Sequence, residues 1–483
     1  MDGSPSERDN VLPAWRRWAG NFYVQLGAAY LVVAAVVYLR AFPFRSKYPG
    51  MIWLNPLHAY WDPDITWWAV PAVAAAGAGT YLIVRATRAG EIWPLAVGAL
   101  LNIVGVGLGA PFGRNFPLNW LKRFLADARL FFDAPNVFVN YVEITKGVGV
   151  HCCTRPGLLY WLLGSLDRLF SGNVYVIGFV FIAVAAACVP ILYVGARALV
   201  KKEESAAAAA LFACAPSLLV FGSGPDGLNC LLGGAVMACG LKAASDERPW
   251  LWTAAGGILL AFGVTTSYAL PVMVVFLAAF MLAAAVSGRG RLRYLARWLV
   301  IVFIATAALA IFQVITGYDH VAVFKRAYWT SQELTMSGDN VFKFIGRAIG
   351  RGGLNLPKPG ERPYWIYVFG NLYSTFFIMG VPAAVLYTRE MFRIFSRKQV
   401  RRSFYGAAMI GFLVVFLANN SSGLVLGEVE RIWLFLIPAF LVPGGVELMR
   451  LGRKEGGKAL TATVFILTIT QSLVYNIVLG TPF

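Results

Sequence analysis

Apolar runs of about 18–25 residues recur from residue 20 to residue 478, and they limit the available folds more than any other feature of the chain. Runs of that length match the hydrocarbon thickness that a transmembrane helix must cross. Strands of a membrane β-barrel would be about ten residues long and would alternate in polarity; these runs do neither. Of the 483 residues, 58% are hydrophobic and 14% are charged, whereas a soluble domain uses about a quarter of its residues as charges. The chain therefore reads as an all-α polytopic membrane protein. Its 24 prolines and 49 glycines fit that class, because membrane helices tolerate both.

Thirteen spans are expected, at about 20–41, 66–84, 92–110, 173–194, 204–221, 228–241, 249–264, 266–287, 294–316, 364–387, 403–418, 429–447 and 458–478. The pair 228–241 and 249–264 is short enough to be partly re-entrant. The stretch 156–171 is apolar but carries Asp167 and Arg168, and it is read as a helix lying at the interface rather than a span.

The net charge of +18 would point to nucleic acid in a soluble protein. Here the excess sits in short connections between apolar runs, so no nucleic-acid partner is expected. Arg85 and Arg88, Lys201 and Lys202, Arg289, Arg291, Arg293 and Arg297, and the run from Arg389 to Arg402 all fall in alternate connections. Positive-inside bias places those connections in the cytoplasm. Arg16 and Arg17 place the tail 1–19 there too, and the start shows no cleavable signal-peptide pattern. The long loops 42–65, 111–172 and 317–363 then lie outside, with the short turns at 222–227, 265–268 and 419–428. Four of the six cysteines, Cys188, Cys214, Cys230 and Cys239, fall in apolar runs and read as core thiols. Cys152 and Cys153 are adjacent, and no spacing resembles a metal knuckle.

The polar residues of interest concentrate on that outer face. The densest group is an island at 111–157, which carries Asp127, Asp133 and Glu143 and ends in His151-Cys-Cys-Thr-Arg155-Pro156-Gly157. A carboxylate within hydrogen-bond reach of a hydroxyl can act as a general base. Solvated loop acids are the plainer account of each residue taken singly. Pro156 suits the start of a helix, and amides there, with Arg155 and His151, could hold a phosphate. A second stretch, Gly427-Glu428-Val-Glu430-Arg431-Ile-Trp433, sets two acids and an arginine at the start of an apolar span, where charges are costly unless paired or used. Glu428 and Arg431 are spaced to pair. Asp226 follows Pro225 in the 222–227 turn, either as a helix cap or lining a site. Asp62 and Asp64 lie in the first outer loop and resemble no calcium loop. The start of the 317–363 loop carries His320, Lys325, Arg326, Tyr328 and Trp329, suited to sugar stacking or lipid headgroups.

These motifs resemble the GT-C type of integral membrane glycosyltransferase, in particular the bacterial and archaeal relatives of protein O-mannosyltransferases and of aminoarabinose transferases. Asp127-Ala-Arg-Leu-Phe-Phe followed 29 residues later by Pro156, in Thr154-Arg155-Pro156-Gly157, is similar to that group's acid-bearing loop and its step into the next helix. The 427–433 stretch is similar to its Gly-Glu-x-x-Arg-x-Trp step. The likeness extends over roughly 92–447. The family step often has a second proline, which is missing here, and two spans precede the loop's own helix.

By that resemblance the fold has a GT-C-like core at 92–478 containing the outer loops 111–172 and 317–363. Two extra membrane helices (20–91) precede it. The activity implied is a glycosyltransferase, hexosyl or pentosyl, that moves a sugar from a polyprenyl-phosphate donor to an acceptor hydroxyl outside the cell membrane. The resemblance implies Asp127, or Asp133, as the catalytic acid, with Asp62 or Asp64 as a rival site. Arg431 with Arg155 or His151 would neutralise the leaving phosphate, and Glu428 would hold the sugar or orient Arg431. Glu143, Asp226 and Glu430 are additional candidates. No cofactor or metal is required where arginines carry that charge, although a divalent cation is compatible with the site. The acceptor is a glycan, a lipid or a protein, and membrane lipids surround the chain. The competing reading is a transporter or flippase for a lipid-linked or small solute. The sequence contains no GxxxxGK[ST], HExxH or GxSxG.

Overall fold

The computed structural model describes residues 21–38, 60–61, 67, 69–109, 117–145, 155–222, 224–245, 248–288, 291–335, 364–422, 432–453 and 457–480. Its helices, in chain order, begin with α1 (Phe22–Tyr38), α2 (Ala69–Ala89), α3 (Ile92–Gly109), α4 (Pro117–Phe132) and α5 (Tyr141–Ile144). There follow α6 (Gly157–Leu169), α7 (Val174–Ala196), α8 (Lys202–Cys214), α9 (Pro216–Phe221), α10 (Pro225–Ser245) and α11 (Pro249–Thr266). The remainder are α12 (Met273–Val286), α13 (Arg291–Thr316), α14 (His320–Thr335), α15 (Tyr364–Ile378), α16 (Val381–Ser396), α17 (Lys398–Arg402), α18 (Phe404–Ser421), α19 (Ile437–Gly452) and α20 (Gly457–Val478). One two-residue pairing, β1 (Tyr60–Trp61) antiparallel to β2 (Leu479–Gly480), brings the first long loop to the end of α20.

The protein is a multi-pass membrane protein. Among the described residues eight helices are long and apolar enough to cross a bilayer: α2, α7, α10, α11, α13, α18, α19 with the 3-10 turn before it, and α20. A ninth is added if α15 and α16 count as one bent span. The expected count of thirteen is therefore not confirmed. The runs at 22–36, 92–107 and 270–286 are apolar helices of shorter length. The 228–241 run, read as short, belongs to the 21-residue α10, because Pro225 and Asp226 supply its first turn and Lys242 its last. The 156–171 stretch forms the 13-residue α6, too short to cross a bilayer.

Two continuous apolar runs are broken, each for a local reason. Pro216 has no N–H and cannot continue α8, so the run 204–221 divides into α8 and α9. In a bilayer the carbonyls released by such a break need partners from elsewhere. The Asn102 amide donates to the Ala213 carbonyl at 3.2 Å, and the Ser472 hydroxyl donates to the Cys214 carbonyl at 3.1 Å. The run 364–387 breaks at Gly380, whose φ of +93° is a conformation that side-chain-bearing residues rarely adopt. There α15 and α16 meet at 108°. Gln471 of α20 serves both sides of the gap: its amide donates to the Phe377 carbonyl at 2.8 Å and its oxygen accepts from the Val381 amide at 2.9 Å.

The main core surrounds α8, whose residues Ala206 to Cys214 are entirely buried. Small residues let backbones approach closely there: a Cβ added to Gly445 of α19 would lie 2.5 Å from the Ala208 nitrogen. The four cysteines Cys188, Cys214, Cys230 and Cys239 are free and buried in this region. A separate, smaller cluster, rich in aromatics, caps one end of the bundle. It joins Leu121, Phe124, Phe131, Tyr141, Tyr160, Phe181, Tyr318 and Val323. Segments of four loops expected on one face meet in this cap: the island, the start of α10, the turn after α11 and the start of α14.

The opposite end is ionic. Arg389 Nε donates to Glu447 at 2.8 Å and its Nη1 to the Gln25 oxygen at 2.6 Å, tying α16 to α19 and to the beginning of α1. Arg450 also binds Glu447, and Arg393 binds Glu390, which accepts in addition from the Tyr405 hydroxyl at 3.1 Å. Both glutamates are completely buried.

Candidate functional site

The site is built at the aromatic end. Helix α4 places Leu121, Phe124, Leu125, Ala128 and Phe131 at helical spacing, all buried, and packs them against α6 and α7. Arg129 on its outer flank makes two hydrogen bonds to Asp167 of α6, at 2.7 and 2.8 Å. Asp127 lies on the edge of the buried stripe and is half-buried. It stands one helical turn from Phe124, so the two are neighbours along one flank of α4.

Arg155 is engaged through both its side chain and its backbone. Its guanidinium donates to Asp226 Oδ1 at 3.0 Å, with the side chains 12% and 8% exposed respectively. It lies over the Phe124 ring, 5.0 Å from the centroid. Its carbonyl accepts a hydrogen bond from the Tyr141 hydroxyl. Two residues on, the Gly157 amide donates to the Tyr318 hydroxyl at 3.0 Å. A Cβ at Gly157 would meet the Tyr141 ring at 2.9 Å and the Tyr318 ring at 3.1 Å, so the step between the island and α6 passes between two tyrosines. Pro156 holds the extended conformation before α6 (φ −67°, ψ 153°) and has no amide to satisfy. Of the amides expected at this helix start, that of Gly157 is thus used by Tyr318.

Behind Tyr318 stands Tyr268, their hydroxyls 3.4 Å apart. Burial, with Tyr318 alongside, pushes the Tyr268 hydroxyl well above the ordinary tyrosine range. His320 packs edge-on to Tyr318, with ring centroids 4.8 Å apart. Burial lowers its pKa against the opposing pull of a Leu309 backbone contact and of Asp319.

Asp226 is the second residue of α10, where a carboxylate also suits the helix dipole. Its side chain is spent on Arg155, with the Asn229 amide 3.5 Å away. Asp226 thus stands inside the first turn of α10 rather than at its cap. Asp133 lies beyond the end of α4 and pairs with Arg168, both side chains being mostly exposed at 66% and 63%. Glu143 is exposed on α5. His151, Asp62, Asp64, Glu428, Glu430 and Arg431 lie outside the described residues. Tyr141, Tyr318 and Phe124, which the sequence reading passed over as site residues, are the groups that fix Arg155. Tyr318 had one signal, an aromatic just past the end of a long apolar helix, where interfacial rings gather. Among the described residues no three His, Cys, Asp or Glu side chains come together as a metal-binding group.

The fold is similar to that of an archaeal membrane oligosaccharyltransferase. The family described as dolichyl-phosphate-mannose-protein mannosyltransferase matches residues 154–315, the segment from just before Arg155 through α13. The oligosaccharyltransferase AglB of Archaeoglobus fulgidus, solved with an inhibitory peptide and a dolichol-phosphate, superposes with a TM-score of 0.51 at 14% identity, over 80% of this chain and 56% of that one. The oligosaccharyltransferase from the same organism solved with zinc and sulfate gives a TM-score of 0.47 at 16% identity, over 80% of this chain and 54% of that one. The chain thus corresponds to a little over half the length of these structures. No curated protein matches its sequence.

Proposed function

We propose that the protein is a glycosyltransferase that moves a sugar from a polyprenyl-phosphate carrier to an acceptor hydroxyl at the extracytoplasmic surface of the cell membrane. The observation that carries this reading is the meeting of Arg155 with Asp226 beside the Asp127 flank of α4, at the aromatic end of a bundle with a GT-C-like fold.

In the proposed reaction the Asp127 carboxylate takes the proton of the acceptor hydroxyl as its oxygen attacks the anomeric carbon. The bond from that carbon to the phosphate oxygen breaks, and polyprenyl phosphate leaves with the electron pair. Attack opposite the leaving group inverts the anomeric centre. Arg155, with Arg431 and His151, offsets the charge that grows on the phosphate. Asp226, Tyr141 and Tyr318 keep Arg155 in place, so little reorganisation is needed as that charge develops. Asp127 is preferred to Asp133 because its spacing to Arg155-Pro156-Gly157 fits the resemblance.

The test is transfer from radiolabelled polyprenyl-phosphate sugars to native membranes by purified protein. Asp127→Asn is expected to lose transfer by two orders of magnitude or more while still binding donor, in keeping with the roughly 10²–10⁴-fold contribution of general-base catalysis. Undiminished transfer by this variant would move the role to Asp62, Asp64 or Asp133. Wild-type protein that transfers no sugar from any such donor would count against the reading as a whole.

A further inference from the structure

The end of the bundle remote from the candidate site presents an elbow of strong positive charge. Arg397, the residue between α16 and α17, and Lys398, Arg401 and Arg402 on α17 are all exposed. Two carboxylates at this end are already engaged inside the protein, Glu390 by Arg393 and Tyr405, and Glu447 by Arg389 and Arg450. No acid occurs in the sequence between Glu390 and Glu428. Among the described residues these four cations are paired with no carboxylate, and one of their side chains donates a hydrogen bond, Arg401 to the Phe395 carbonyl at 3.3 Å. On the preceding turns of α16, Phe392 and Phe395 are 75% and 45% exposed. The rest of that helix buries an apolar stripe from Val381 to Ile394 against the bundle.

Exposed aromatics directly beside a cluster of exposed cations form the combination that seats at a bilayer surface, rings toward the acyl chains and charges among the headgroups. We propose that this elbow binds anionic glycerophospholipid of the adjacent leaflet, with the guanidinium groups of Arg397, Arg401 and Arg402 and the Lys398 ammonium on the headgroup phosphates. A planar guanidinium donates two parallel hydrogen bonds to one phosphate, and the buried glutamates underneath keep Arg389, Arg393 and Arg450 from competing for it. This assignment is independent of the transferase reading.

Native mass spectrometry of detergent-purified protein, titrated with phosphatidylglycerol or phosphatidylcholine, tests it. Wild type should hold phosphatidylglycerol at least about ten-fold more tightly than phosphatidylcholine, each surface cation contributing roughly five-fold. The variant R397Q/K398Q/R401Q/R402Q should lose that preference, and R397K/R401K/R402K should keep most of it. K122Q/R123Q, which removes two exposed cations of α4 at the other end, should bind as wild type. All these positions are exposed, so the melting temperature in detergent should not change and serves as the folding control. The proposal is overturned if the quadruple glutamine variant retains the preference, if K122Q/R123Q abolishes it, or if millimolar inorganic phosphate displaces the lipid, which would make the elbow a site for free anions.

Discussion

Arg155 and Asp226 were each legible as polar residues of interest, but nothing in the sequence joined them. They are 71 positions apart, and the contact exists because α4, α6 and the start of α10 share one aromatic cap. A buried ion pair costs desolvation on both sides, and removing one partner leaves the other charge unpaired. Asp226→Asn is therefore expected to destabilise the protein by about 3–5 kcal/mol, while the double replacement Arg155→Met with Asp226→Leu costs less. Thermal unfolding in detergent distinguishes the two, and equal losses would show that the pair does not act as a unit. Tyr141 and Tyr318 escaped the sequence reading for a related reason. An aromatic in a polar loop is common, and its role as a hydrogen-bond partner of the backbone around Arg155 depends on a fold that sequence spacing does not encode.

At the scale of helices, the apolar runs themselves were readable, since each came from composition over a window. The breaks inside them were not. The runs 204–221 and 364–387 remain apolar across Pro216 and Gly380, and what makes each break affordable lies far along the chain, in Asn102, Ser472 and Gln471. Gln471 is the most exposed to test because it donates on one side of the α15–α16 gap and accepts on the other. Gln471→Leu should cost about 1–3 kcal/mol, from the Val381 amide left without its partner, since the Phe377 carbonyl still accepts from the Gly380 amide. Gln471→Glu, able to accept from Val381 but not, when ionised, to donate to Phe377, should remove the second bond and add a buried charge. Hydrogen exchange of the amides around 377–384 would report it: protection lost in the leucine variant supports the clasp, and unchanged protection opposes it.

For the whole molecule, charge distribution gave a two-ended reading before any fold was known. The structure has that form, with aromatic loops gathered at one end and buried glutamates under a basic surface at the other. Among the described residues eight or nine of the expected spans are long and unbroken enough to cross, because hydropathy counts apolar length while crossing also needs a continuous helix. The break in 364–387 does not alter the expected orientation, since α16 alone leads from the break to the basic end. Single cysteines at Lys122 and Lys398 should accordingly be labelled by impermeant maleimide from opposite sides of the membrane, Lys122→Cys from outside and Lys398→Cys only after permeabilisation. Labelling of both from one side would invert or dismantle the arrangement.

The clasp at Gly380 also sets an order of assembly. Its two backbone partners are made first, and the side chain that satisfies them emerges 90 and 94 residues later. Until α20 is in place the Val381 amide lacks this partner, whereas the Phe377 carbonyl already accepts from the Gly380 amide at 3.0 Å. A chain cut short before Gln471 would leave the start of α16 without the side chain that holds its first amide.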